Sequence, residues 1–253
     1  MIYDLQRASM WKRISAFLFD GILLAIVAVL FGCVLSGITG YDNYNRTLDE
    51  AQVRYGEMYG INFDLSLSEY DAMTADEREN LNAAYAALGA DEEAIRAYNM
   101  VINLTLLITS LGLLFSFVLM EMVLPMKLGN GQTLGKKIFG IGLMQQDGVQ
   151  VNGRVMFVRV ILGKYTIETM VPVLILLMIW FGILGLTGTL VLAGMVLVQA
   201  GMLVFTRSRL VIHDALACTV AVDVASQLIF PDREAMIAYK EKVHAEQAAR
   251  AEY

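Results

Sequence analysis

Apolar runs long enough to cross a lipid bilayer as helices are the feature that most constrains how this chain can fold. A spanning helix needs ~20 mainly apolar residues, and the runs Ile14 to Ile38 and Asn99 to Met126 meet this length. A third run, Ile167 to Phe205, is too long for one helix, and its closely spaced glycines from Gly182 to Gly188 favour a tight turn. Four membrane spans are therefore predicted, the last two at residues 167–184 and 189–205.

Composition agrees with a membrane protein rather than a water-soluble domain. Hydrophobic residues make up 57% of the chain and charged residues 17%, whereas soluble domains carry roughly a quarter charged residues. The first apolar run is longer than the core of a secretory signal peptide, carries Asp20, and ends without a small-residue cleavage pattern. We interpret it as a retained membrane span.

The distribution of lysine predicts the orientation. Every lysine lies before the first span, between the second and third spans, or after the fourth. The segment from Thr39 to Tyr98 has no lysine, and its four arginines are outnumbered by thirteen carboxylates. Because lysine and arginine are enriched in cytoplasmic loops, both termini are predicted to be cytoplasmic and the acidic segment extracytoplasmic. The predicted location is the cytoplasmic (inner) membrane of a bacterium, crossed several times.

The predicted fold is thus an all-α membrane protein built on a four-helix transmembrane bundle. Its predicted segments are 1–38 (N-terminal segment and first span), 39–98 (acidic cap), 99–126 (second span), 127–166 (cytoplasmic β-hairpin and interfacial helix), 167–205 (third and fourth spans) and 206–253 (a His-Asp segment and a charged tail).

The acidic cap contains several helix-start signals. Ser68 precedes Asp71 by three residues, Thr74 precedes Glu77 by three, and Asp91 precedes the final helical stretch. Two or three short helices are predicted. A loosely ordered acidic loop is the alternative that the composition leaves open.

The segment between the second and third spans favours local structure over nucleotide binding. Its Gly-Lys pair lacks the spacing of a phosphate-binding loop. An Asp-Gly pair, Asp147-Gly148, lies between extended runs and predicts a β-hairpin, to which residues 218–222 could add a strand. From Arg154 to Tyr165, the basic residues Arg154, Arg159 and Lys164 are spaced over apolar ones. That spacing is typical of a helix lying in the membrane interface with its basic groups toward anionic headgroups.

Three ordered motifs resemble the RDD family of small membrane proteins, named for an arginine and two aspartates. They are "RISAFLFD" with Arg13 and Asp20, "GQTLGKKIFGIGLMQQDG" at residues 131–148, and "RLVIHDALACTVAV" with Asp214. The resemblance covers the membrane domain but neither the acidic cap nor the tail after Ser226. Gly142 stands where a basic residue is common in the family, and Cys218 where glycine is common. The resemblance implies a transport role, with cation/proton antiport attributed to some members.

Asp20 lies about a third of the way into the first span, where a carboxylate needs a partner or a watery cavity. Asp20 follows Arg13 by seven residues, about two helical turns, so the two side chains lie on the same face of the helix. The inner half of the predicted bundle collects further charged side chains. The candidate ion or proton site residues are Asp20, Glu121, Glu168 and Asp214, with Arg13, Arg209 and His213 as charge-pair partners.

Two interpretations of this cluster remain open. In the structural one, Arg13 pairs with Asp214 while Asp20 bonds polar or backbone groups and locks the bundle. In the functional one, Asp20 and Glu121 form a cytoplasm-facing site at which a proton and a cation compete.

Two functions follow for the whole protein. The first is a transporter or cation/proton exchange component that handles monovalent cations and protons. The second is a non-transporting membrane scaffold or assembly partner that docks through the acidic cap. Neither an enzyme, a metal site, a cofactor nor nucleic-acid binding is expected. Four spans are few for a transporter, so a homo-oligomer or a membrane-protein partner is expected. Gly194 and Gly201 allow close helix packing, either within the bundle or with another copy.

Overall fold

The computed structural model describes residues 6–205 and 210–251, which form two compact units. The first, here the charged unit, comprises Met1–Val29 and Leu113–Tyr253; the second, the cap unit, comprises Leu30–Gly112. The helices are α1 (Met10–Thr39), α2 (Tyr41–Tyr59), α3 (Leu67–Ala72), α4 (Ala75–Leu88), α5 (Glu92–Phe117), α6 (Leu124–Leu128), α7 (Leu134–Ile138), α8 (Gly153–Phe157), α9 (Val171–Trp180), α10 (Leu186–Phe205), α11 (Ile212–Leu216) and α12 (Arg233–Ala251). Two π-helical segments, π1 (Val118–Val123) and π2 (Val158–Met170), and two strands, β1 (Ile141–Gln145) and β2 (Thr219–Asp223), complete the described elements.

Three helices in the described part of the chain are long and apolar enough to cross a membrane. They are Met10–Thr39, Glu92–Leu128 and Gly153–Trp180, of 30, 37 and 28 residues. The predicted fourth span corresponds to α10, whose apolar stretch, Leu186–Met202, is shorter than these three. The predicted turn before α10 is confirmed, because Gly182 has a left-handed backbone with φ 71°. The four-helix bundle itself stays a prediction.

The helix that contains the predicted third span begins before that span, at Gly153. The stretch interpreted as an interfacial helix is continuous with the span, because α8, π2 and α9 form one uninterrupted helix, Gly153–Trp180. Asn152 starts this helix by accepting a hydrogen bond from the N–H of Val155 at 3.0 Å. The sequence predicted a break in this helix before residue 167 because the charged side chains there were interpreted as headgroup contacts.

The cap unit is helical, so the interpretation as a loose loop is wrong. The helix starts at Thr74 and Asp91 are confirmed: Thr74 and Glu77 form a capping box, and Asp91 accepts from the N–H of Ala94 at 3.2 Å. The first start lies two residues earlier than predicted, because Ser66 rather than Ser68 forms the capping box. α2 is also longer than the short helices expected. An ion pair of 2.7 Å between Arg54 and Asp91 links α2 to the start of α5.

The sheet of the charged unit is only partly the predicted hairpin. The turn after β1 is present, and the N–H of Gly148 donates to the carbonyl of Gln145 at 2.9 Å. The added strand expected at residues 218–222 is confirmed as β2, which pairs with β1 in antiparallel register from Ile141 opposite Asp223 to Gln145 opposite Thr219. The segment after the turn makes a single bridge to β1, between Gln150 and Met144, and a second bridge between Val149 and Phe230. It then enters α8 after Asn152, so no second hairpin strand forms within this described segment.

The departure from the family motif at Gly142 has a local cause, whereas the backbone at Cys218 favours the glycine that is common in the family. A side chain at Gly142 would meet Ile229 and Val224 at 3.0 Å, because the segment after β2 covers this strand. Cys218 joins α11 to β2 with a left-handed backbone of φ 50°, which side-chain-bearing residues adopt at a cost of roughly 1–2 kcal/mol. Glycine at position 218 would relieve that cost.

We therefore expect Cys218→Gly to raise the thermal unfolding midpoint of the purified protein, by a stabilisation of ~1 kcal/mol. Cys33→Gly is the matched control, because Cys33 is also an exposed cysteine but lies inside α1. Glycine in a helix interior costs ~1 kcal/mol, so the control should lower the midpoint. A decrease of equal size in both variants would contradict the strain at Cys218.

Candidate functional site

Asp20 is held by the start of α7. Its carboxylate accepts hydrogen bonds from the hydroxyl of Thr133 and from the N–H of Gly135, the latter at 2.8 Å. The first N–H groups of a helix lack partners within the helix and attract negative charge. Thr133 caps the same turn, since its hydroxyl also accepts from the N–H of Lys136 at 3.3 Å. The carboxylate inside the first span thus joins α1 to the loop after the second span.

This junction is too close for any residue but glycine at position 135. A Cβ atom there would lie 2.6 Å from the carbonyl oxygen of Ala16 and 2.9 Å from Cγ of Asp20. Real Cβ atoms essentially never approach a backbone oxygen so closely. The family motif "GQTLGKK" therefore supplies the threonine and the glycine that bind Asp20.

Asp214 forms the most buried ion pair described, with Arg159. Their exposed fractions are 1% and 2%. Oδ1 of Asp214 accepts from Nη2 and Nε of Arg159 at 2.7 and 3.0 Å, and from the hydroxyl of Thr219 at 2.9 Å. Burial alone would raise the pKa of Asp214, but the Arg159 charge outweighs it and holds that pKa well below its ordinary value.

The predicted pair of Arg13 with Asp214 is confirmed, although it is the looser contact. Nη2 of Arg13 lies 3.8 Å from Oδ2 of Asp214. The interpretation of Arg159 as a headgroup contact is wrong: π2 packs against α11, so Arg159 points into the protein. Arg154, one segment earlier, is exposed as predicted.

Glu121 lies in π1 between two lysines. Nζ of Lys164 donates to its Oε1 at 2.6 Å, and Nζ of Lys136 lies 3.9 Å from its Oε2. The side chain of Lys164 is 12% exposed, so its interpretation as a headgroup contact is also wrong. Burial lowers the pKa of Lys136 to about 7; Glu121 opposes that change, and the positive charge of Arg159 adds to it.

Glu168 binds His213 through both of its oxygens. The backbone N–H of His213 donates to Oε1 at 2.9 Å, and Nδ1 of the ring lies 2.7 Å from Oε2. Burial, helped by the charge of Arg159, lowers the pKa of His213 to about 4. The ring is therefore neutral at pH 7, and its Nδ1–H donates a hydrogen bond to Glu168. Glu168 was predicted to open the third span, but it lies inside π2.

The sequence carries a further signal at these two glutamates. Glu121 precedes Pro125 by four residues and Glu168 precedes Pro172 by four, in "EMVLP" and "ETMVP". Proline has no N–H to bond the carbonyl four residues earlier and clashes with it. Both glutamates lie in the π-helical segments that precede these prolines, as expected where a helix accommodates a missing bond. π-Helical segments often mark functional sites.

The structure divides the predicted cluster rather than joining all of it. Asp20 contacts Thr133 and Gly135, whereas Glu121 contacts Lys164 and Lys136, so the predicted Asp20–Glu121 site is replaced by two separate arrangements. The charge of Lys136 nevertheless interacts with both carboxylates. Arg209 lies outside the described residues. Within the ranges described, no group of three or more His, Cys, Asp and Glu side chains could hold a metal ion.

Comparison with known proteins gives one match. Residues 7–218, well over half of the chain, match the model of the RDD family. That range includes Arg13, Asp20 and Asp214 and ends before β2 and α12. No curated protein and no solved structure matches the chain.

Proposed function

Because this chain belongs to the RDD family of membrane proteins, we propose that it is an ion transporter or a component of one, exchanging protons for monovalent cations. The proposed exchange site is the buried carboxylate of Glu121. The proposed location of the protein is the bacterial cytoplasmic membrane. The observation that supports this proposal concerns one oxygen atom of Glu121. Oε2 of Glu121 is buried and has no hydrogen-bond partner among the described residues.

The other three candidate carboxylates already bind protein groups. Asp20 uses both oxygens on Thr133 and Gly135, and Glu168 uses both on His213. Asp214 is surrounded by arginine, threonine and histidine side chains. Glu121 alone among these four keeps an oxygen that an arriving proton or cation can use. Ionisable groups inside membrane spans mark ion and proton pathways.

The direct experiment measures flux. Purified protein in proteoliposomes loaded with a pH-sensitive dye is given an inward gradient of sodium or potassium. We expect proton efflux driven by the cation gradient, absent from protein-free liposomes. Absence of flux with every monovalent cation would contradict the exchange proposal.

The proposed topology has four spans, cytoplasmic termini and an external cap, and it can be tested by cysteine labelling. Glu79 in the cap and Gln146 in the turn after β1 are exposed. In a Cys33→Ala, Cys218→Gly background, we expect Glu79→Cys to react with an impermeant maleimide in intact cells. Gln146→Cys should react only after the membrane is opened. Labelling of both positions from one side would contradict this topology.

A second candidate function is a non-transporting scaffold. The favouring observation is that arginines of the cap bind within it: Arg54 pairs with Asp91, and Arg78 donates to the carbonyls of Tyr70 and Asp71. The exposed cap surface therefore presents mainly carboxylates, which suits a basic partner. Cross-linking from the cap, combined with no flux by the purified protein, would support this function over exchange.

The small number of spans leads us to propose that transport needs an assembly. It would contain several copies of this chain or a membrane-protein partner. α10 is suited to such contact, because a Cβ atom added at Gly194 would meet nothing within 4 Å. Close helix packing in membranes uses small residues of this kind.

A further inference from the structure

The two lysines beside Glu121 contact its carboxylate in different ways. Nζ of Lys164 donates a hydrogen bond to Oε1 at 2.6 Å. Nζ of Lys136 lies 3.9 Å from Oε2, which is within ion-pair range but too long for a hydrogen bond. Oε2 has no hydrogen-bond partner among the described residues. Lys164 therefore binds the carboxylate, whereas Lys136 places a positive charge beside the oxygen that would receive a cation.

The start of α7 anchors Lys136 at this position. The N–H of Lys136 donates to the hydroxyl of Thr133 at 3.3 Å, and that hydroxyl donates to the carboxylate of Asp20. The preceding residue, Gly135, donates its N–H to the same carboxylate at 2.8 Å. The backbone of Lys136 is thus tied to α1 through Asp20. Its side chain is 12% exposed, so its charge is largely shielded from water.

A positive charge at this place opposes the binding of a second one. A like charge within ~4–6 Å of an ionisable group changes its equilibrium by roughly 10- to 1000-fold. Water screens this repulsion weakly here, because the side chains of Lys136 and Glu121 are only 12% and 6% exposed. A cation at Oε2 must either lie beside the ammonium group of Lys136 or take its place.

We propose that Lys136 sets the cation affinity of the exchange site, as a tethered positive charge that competes with the incoming cation for Oε2 of Glu121. This inference rests on the proposed exchange at Glu121 and names the group that the cation competes with. A transported ion must leave its site as well as enter it. Competition from Lys136 keeps the affinity low enough for release.

Cation binding to the whole protein, purified in detergent, tests this role without measuring flux. Isothermal titration calorimetry with sodium or potassium chloride, balanced by choline chloride at constant ionic strength, gives the dissociation constant. The titration is run at pH 6, below the pKa of about 7 of Lys136, so that the wild-type lysine is charged. We expect Lys136→Met to bind the cation at least ~10-fold more tightly than wild type.

Three further variants separate charge from packing. Lys137→Met is the matched control, because Lys137 is the next residue but is exposed, so its affinity should equal that of wild type. Lys136→Gln, also neutral, should bind as tightly as Lys136→Met and serves if the latter does not fold. Lys136→Arg keeps the charge and should stay near the wild-type affinity. Wild-type affinity in both neutral variants, or an equal gain in Lys137→Met, would overturn the proposal.

Glu121→Gln distinguishes failure of this inference from failure of the exchange site. If wild type binds the cation and Glu121→Gln does not, the site at Glu121 stands. Unchanged affinity in Lys136→Met then overturns only the role of Lys136. If neither wild type nor Lys136→Met binds sodium or potassium, the exchange site and this inference fail together.

Discussion

Arg159→Ala should destabilise this protein more than almost any other single change. Removing one partner of a buried ion pair leaves an uncompensated charge and costs ~3–5 kcal/mol. Here the charge left behind is Asp214, which is 1% exposed. We expect a large fall in the thermal unfolding midpoint of the detergent-purified protein, or loss of folded protein altogether.

Arg154→Ala is the matched control for this change. Arg154 is an arginine of the same helix, but its side chain is exposed, so its removal should leave the midpoint nearly unchanged. The double variant Arg159→Ala, Asp214→Ala should lose less than the sum of the single changes. Equal midpoints for Arg159→Ala and Arg154→Ala would contradict the buried pair.

Gly163→Ala should have the second largest effect. A Cβ atom at position 163 would lie 2.6 Å from Cβ and 2.7 Å from Cα of His213, so π2 and α11 would have to separate. Overpacking of this kind costs typically ~1–3 kcal/mol, and the neighbour here includes a backbone atom that cannot rotate away. The shift would also disturb the bond between His213 and Glu168. We expect a clear fall in the thermal unfolding midpoint.

Gly194→Ala provides the comparison. Gly194 is also inside an apolar helix, but an added Cβ atom meets nothing within 4 Å. Alanine is the better helix former by ~1 kcal/mol, so this variant should match or exceed the wild-type midpoint. A Gly163→Ala protein as stable as Gly194→Ala would mean that α11 does not pack on π2 as described.

Local sequence patterns predicted the features that depend on residues close together in the chain. Apolar run lengths located the first two spans, and the capping signals at Thr74 and Asp91 located helix starts in the cap. Each of these features depends on residues within a few positions or a single helix. The family motifs also identified Arg13, Asp20 and Asp214 before any fold was known.

The role of Arg159 could not be read from its neighbours in sequence. Basic residues spaced over apolar ones describe both an interfacial helix and a helix with buried ion pairs. The partner that decides between them, Asp214, is 55 positions away. The strand pairing was predicted in part: the β-branched residues 218–222 indicated the strand that became β2, but Asp147-Gly148 favoured a local hairpin as the main partner of β1.

The distinction between the candidate carboxylates also required the fold. Sequence placed Asp20 and Glu121 at similar depth, and each was an equal candidate for an exchange site. The start of α7, at Thr133 and Gly135, satisfies Asp20. Glu121 is left with a buried oxygen that the described residues do not bond.

The difference between these two carboxylates is measurable as flux. Asp20→Asn and Glu121→Gln each replace a carboxylate by an amide of nearly the same size, and both are reconstituted at equal amounts of folded protein. Asp20→Asn should retain cation-driven, pH-dependent proton flux, because an amide can still accept from the N–H of Gly135. Glu121→Gln should abolish that flux, because the titrating oxygen is gone. Full flux from folded Glu121→Gln, or its loss only in folded Asp20→Asn, would contradict the assignment of Glu121 as the exchange group.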